Sequence, residues 1–134
     1  MPAAASFDYA LLRIVPRVER QEFINAGAVV YCPERHYLAA RIHLDHNRLK
    51  ALWPEADLAL VEQHLDAIQR LCDGDQEAGA IAKLSQRERF HWLTAPRSTI
   101  VQPSPVHTGV CESTDGVLDR LERQFVSVGI SVPR

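Results

Sequence analysis

A chain of 134 residues, 46% hydrophobic and 24% charged, has the size and composition of a unit with one hydrophobic core, far from the low-hydrophobicity, high-charge signature of disorder. Its formal net charge of -2 sets up no general field for nucleic acid or anionic lipid, so a nucleic-acid binder is the disfavoured class. The apolar runs YALLRIV and AGAVVYC fall far short of the about 20 residues that a membrane span requires.

MPAAAS lacks the basic segment and long apolar core of a secretory signal. Cys32, Cys72 and Cys111 are odd in number, far apart and without any C-x-x-C pair. Reduced thiols in the cytoplasm are therefore expected, with the cysteines serving as small buried hydrophobes. The chain reads as a flexible N-terminus over 1–6, a single domain over 7–128 and a C-terminal tail over 129–134.

FDYALLRIVP (Phe7 to Pro16) is aliphatic on both alternating sets, the pattern of a strand covered on both faces, with Arg13 as its misfit. RVERQEF suits one helical turn. NAGAVVYC (Asn25 to Cys32) and YLAARIHL (Tyr37 to Leu44) are two more strands, joined antiparallel through PERH. A short helix is expected over RLKALW, capped by Asp45 or Asn47. In WPEADLALVEQHLDAIQRLCDG, Leu58, Val61, Leu65, Ile68 and Cys72 recur at helical spacing, Pro54 suits the first turn and Gly74 the close. QEAGAIAKLSQRERFHWL reads as a weaker helix interrupted by Gly79, and STIVQ as a fourth strand. Last, STDGVLDRLERQFVSV presents Leu118, Leu121, Phe125 and Val128 on one helical face, with Ser113 or Thr114 as cap. Strands first, helices next and a late strand and helix predict an α+β fold, a mainly antiparallel sheet of about four strands with helices packed on it. No G-x-G-x-x-G or G-K-[ST] is present, which disfavours the nucleotide-binding parallel folds.

Three groups of residues are candidates for chemistry. HLDH places His43, Asp45 and His46 close together, but neither a strand nor a helix brings this spacing to one metal, so Asp45 is read as a helix cap and no metal or cofactor is expected. RSTIVQPSPVHTGVC offers His107 as a base with Ser104 or Cys111 as a nucleophile. Pro103 and Pro105 deny two backbone donors, so this stretch is read as extended and ordered without a regular ladder. Arg13, Glu22, Asn25, Arg41, Arg97 and Gln102 lie in or beside apolar strand runs, where an unpaired polar side chain costs about 1–3 kcal/mol or more. They are expected to have partners, either in an internal network such as Arg13 with Glu22 or in the acidic group of a ligand.

YALLRIVPRVERQEFINAGAVVY and RFHWLTAPRSTIVQPSPVHTGVC with the helix after it resemble the bacterial domain of unknown function 3037 family over roughly Phe7 to Val128. The matching parts are Arg13 and Pro16, the E-F-x-N-x-G segment (Glu22, Phe23, Asn25, Gly27), and the run of Arg97, Ser98, Gln102, Ser104 and Pro105. The resemblance implies no activity and no catalytic residues. It implies a protein partner through an association of the family with HipA-like kinases.

A non-catalytic binding or accessory module is therefore expected, recognising a protein partner or acidic ligand with Arg13, Glu22, Asn25, Arg41, Arg97, Gln102, Ser104 and His107. An exposed sheet edge would also suit a homodimer. The alternative is a hydrolase or transferase acting on a phosphorylated or nucleotide-like substrate, with His107 as acid or base and the arginines as anion clamps. Convergence of Arg13, Arg97 and His107 on one open pocket would favour the enzyme, and internally paired arginines the module.

Overall fold

The computed structural model of the chain describes residues 4–127, so Val128 and the expected tail lie outside the described residues. Strand β1 (Ala5–Ile14) buries both of its alternating sets. Ala10, Leu12 and Ile14 enter one core, and Ala5, Phe7 and Leu11 the other. Strands β2 (Ile24–Cys32) and β3 (Tyr37–Ile42) pair antiparallel as the hairpin reading requires, through a 3-10 turn at Pro33–Arg35. RVERQEF supplies a single 3-10 turn at Val18–Arg20 between β1 and β2.

The late strand region differs from expectation. Strand β4 is confined to Val101–Pro103, and a fifth strand, β5 (His107–Cys111), occupies the end of the stretch read as lacking a ladder. Both pair antiparallel with β1, β4 against its C-terminal end and β5 against its N-terminal half. The sheet order is β3-β2-β1, with β4 and β5 sharing the remaining edge of β1. Between the pairs Leu12↔Pro103 and Tyr9↔His107, Ser104, Pro105 and Val106 oppose only Ala10 and Leu11, which is a bulge. Prolines are tolerated there because an edge strand needs donors on one side only.

Helix α1 (His46–Leu52) is capped by Asp45, whose carboxylate accepts from the Arg48 N–H. Helix α2 (Leu58–Asp73) buries Val61, Leu65, Ile68, Leu71 and Cys72 and closes on Gly74 at φ 74. Its cap is Asp57, so Pro54 lies in the connection before the helix and not in its first turn. The weaker helical stretch breaks around Gly79 into 3-10 turns at Gln76–Ala78 and Ile81–Lys83, then forms helix α3 (Gln86–Leu93) behind a Ser85–Glu88 capping box. Helix α4 (Val117–Leu121) starts at Gly116, with φ 80, and not on a Ser113 or Thr114 cap; Ser113 instead accepts from the Asp115 N–H. It runs on as a π turn, Glu122–Val126.

One face of the sheet packs on α1, α2 and α3, and the other on α4. The fold is α+β with three layers and an antiparallel sheet of five strands. No helix among the described residues is long and apolar enough to cross a membrane. Cys32, Cys72 and Cys111 are all free and buried, and burial pushes the Cys72 thiol up to about 12.

One buried cation holds two helices together. Arg89 of α3 is 9% exposed and donates from Nη1 to the carbonyls of Leu71 and Cys72 at 3.2 and 2.8 Å. These are among the last carbonyls of α2, where Leu71 O also accepts from the Gly74 N–H, and a cation there complements the helix dipole.

Two local devices set the register of β1. Leu12 faces Gly27 and Arg13 faces Asn25, leaving Ala26 as an extra residue, and a Cβ at Gly27 would lie 2.7 Å from the backbone oxygen of Arg41. On the opposite edge the Leu11 N–H donates to Ser104 Oγ at 2.8 Å, where a bulge would otherwise leave it without an acceptor. Gly27→Ala is expected to destabilise the fold by about 1–3 kcal/mol in urea unfolding, because backbone and not a movable side chain must give way. Ser104→Ala should cost about 1–3 kcal/mol by the same measurement and raise hydrogen exchange at the Leu11 amide.

Candidate functional site

Because partners across antiparallel strands share a face, the register places Gln102, Arg13 and Asn25 in one row across β4, β1 and β2. The row lies on the α4 side of the sheet. Asn25 Nδ2 donates to the Phe125 carbonyl at 3.0 Å, and Gln102 Nε2 donates to Thr99 O at 3.0 Å. The Arg13 guanidinium carbon lies over the Phe23 ring, 4.2 Å from its centroid, with Phe23 itself 43% exposed. Such a stack contributes about 0.5–1 kcal/mol at an exposed site and supplies no hydrogen-bond acceptor.

Two buried side-chain polar atoms have no hydrogen-bond partner among the described residues, Arg13 Nε and Asn25 Oδ1. They belong to cross-strand neighbours. The amide orientation is set by Phe125, whose carbonyl requires the NH2 end of Asn25 and so turns its oxygen away from that carbonyl.

The expected Arg13–Glu22 pair does not form. Glu22 bonds Arg20 at 2.6 Å, and the guanidinium holds its carboxyl below the ordinary carboxylate range. Two residues apart on an exposed turn, they meet more readily than Glu22 meets a strand side chain. Both line a cleft of about 400 Å3 between this turn and the α1–α2 connection, with Arg17, Trp53 and Glu55. Two cations and two carboxylates balance the lining.

The remaining candidates are occupied elsewhere. Arg41 pairs with Asp119 of α4 and approaches Glu122 at 3.8 Å. Arg97 stacks over Trp92 at 4.5 Å and donates to the carbonyls of Trp92 and Ala95, closing the C-terminal end of α3. Desolvation lowers its pKa from the ordinary arginine value. Ser104 is 3% exposed and its hydroxyl, besides accepting from Leu11, donates to Pro105 O at 2.9 Å. His107 stands exposed on β5 against the Tyr9 ring at 5.5 Å, and its ring nitrogens hold no hydrogen bond among the described residues. Burial pushes the Cys111 thiol up. His46 pairs with Glu62, and no group of three or more metal-competent side chains occurs among the described residues.

The structure therefore brings together Arg13, Asn25 and Gln102, and separates them from Arg41, Arg97 and His107. Sequence reasoning missed Phe23 as the platform for Arg13 and Arg48, whose Nη1 donates to Val126 O at 3.2 Å beside the Asn25–Phe125 bond. The signal for Phe23 was its place beside Glu22 in the E-F-x-N-x-G segment. Asp119 was readable as the i−3 companion of Glu122 on a helical face.

No curated protein and no solved structure matches the chain. Residues 9–126 match the model of one family, described as a protein of unknown function, DUF3037. That span contains Arg13, Phe23, Asn25 and Gln102 and all but the first residues of the sheet, and the chain belongs to the DUF3037 family.

Proposed function

We propose that the domain is a non-catalytic binding module, and that the row at Arg13 recognises an acidic residue of a protein partner. The observation that carries this reading is the pair of neighbouring orphan atoms, a buried donor on Arg13 and a buried acceptor on Asn25. Buried polar groups are ordinarily satisfied. One ligand fragment meets both demands: a carboxylate that accepts from the guanidinium, attached to a peptide whose N–H donates to Asn25 Oδ1. A dianionic phosphate ester supplies the first bond and has no donor for the second. The exposed Phe23 ring adds an apolar contact and holds the guanidinium plane.

No observation favours the hydrolase or transferase reading. The hydroxyl of Ser104 is committed on both sides, and Arg97 serves the end of α3.

The side-chain Nε–H resonance of Arg13 reports on this directly. N-acetylaspartate amide, titrated into the full chain, should shift it, and N-acetylasparagine amide should not. Arg13→Gln should weaken binding of the aspartate compound by about tenfold or more, as expected for loss of a charge-assisted hydrogen bond. Equal shifts with both compounds, or none with either, would overturn the assignment.

A further inference from the structure

The two free edges of the sheet are treated differently. On β3, Gln69 of α2 donates to Ala40 O at 3.2 Å, and at the turn before it Gln86 of α3 donates to His36 O at 3.0 Å. Nothing comparable closes β5 among the described residues. The bonds Ser104 N–H to Leu11 O and Val15 N–H to Ile100 O show that odd-numbered residues of β1 point their backbone groups to this edge. His107, Gly109 and Cys111, opposite Tyr9, Phe7 and Ala5, therefore bond inward, and Thr108 and Val110 present N–H and C=O outward. Val110 is 65% exposed and Val106 45%.

We propose that β5 pairs with β5 of a second copy of this chain, antiparallel, about a two-fold axis at Gly109. In that register Thr108 lies opposite the second copy's Val110, and each such pair exchanges both backbone bonds, which is the parity the open edge offers. Gly109 meets Gly109 at the close, non-bonded position, where the absence of side chains removes any clash on the axis. His107 falls opposite Cys111, so no like charges are opposed, and β5 carries no aspartate, glutamate, lysine or arginine that would repel an identical strand. Val110 of each copy gains the β-branched Thr108 of the other as its neighbour across the axis. Pro105 and Glu112 bracket the open stretch, so the paired segment is short, and pairing of like edges about a two-fold closes the assembly at two copies.

Sedimentation equilibrium of the full chain from micromolar to millimolar concentration tests the proposal. The unaltered chain should dimerise reversibly. V110E, which places carboxylates near the axis, should raise the dissociation constant about tenfold or more, and V110E/T108K should restore it, because the new lysine faces the new glutamate only in this register. Circular dichroism melting confirms that each variant is folded. A chain monomeric over the whole range overturns the proposal, as does a dimer that V110E leaves equally tight or one that T108K does not rescue.

Discussion

The architecture depends on β1 being enclosed on all four sides. It is paired along one edge by β2 and along the other by β4 and β5, and covered above and below by separate apolar clusters. A strand so placed can carry a polar side chain only where cover ends. Arg13 stands one residue before the strand's last, where β2 bulges and β4 is just beginning. The polar row at that end of the sheet follows from this geometry. Further along the same face, toward Leu11 and Phe7, a guanidinium would be sealed among apolar side chains.

The same constraint explains which parts of the fold were legible in the residues. The two-sided aliphatic pattern of β1, the β2–β3 hairpin and the three- and four-residue spacing in α2 are repeated signals, and each survives a local irregularity. What escaped reading rests on single atoms. β5 was hidden behind Pro103 and Pro105, because the side-chain oxygen of Ser104 stands in for a backbone acceptor and lets the ladder resume beyond the prolines. The start of α2 was misplaced because Pro54 and Asp57 are both good helix-start residues, and the side-chain bond from Asp57 to the Leu60 N–H decided between them. The C-terminal helix was legible as an apolar face through Leu118, Leu121 and Phe125, but not as a segment that widens into a π turn.

Arginines show the limit of such reading most clearly. Arg13, Arg41, Arg89 and Arg97 all sit near apolar residues in the chain, and each meets a different combination of partners. Arg89 binds the last carbonyls of α2, Arg97 lies on Trp92, Arg41 meets a carboxylate and Arg13 an aromatic ring. A guanidinium has five donors and a flat apolar face, so it can be satisfied by carbonyls, carboxylates or rings alike. Spacing along the chain does not reveal which of these it will meet. Only after tertiary contacts assign three of them to structure does the fourth stand out.

The order in which the enclosure of β1 is completed has a kinetic side. Its first neighbour, β2, emerges within a few residues, while the strand that covers Ala5 supplies Cys111 from near the other end of the chain. Until that late segment docks, one edge of the central strand is bare. Such edges are prone to pair with the wrong neighbour, and distant pairings form slowly. The seam joins residues as far apart as Ala5 and Cys111, so its closure carries the largest loop-closure cost of any pairing in the sheet.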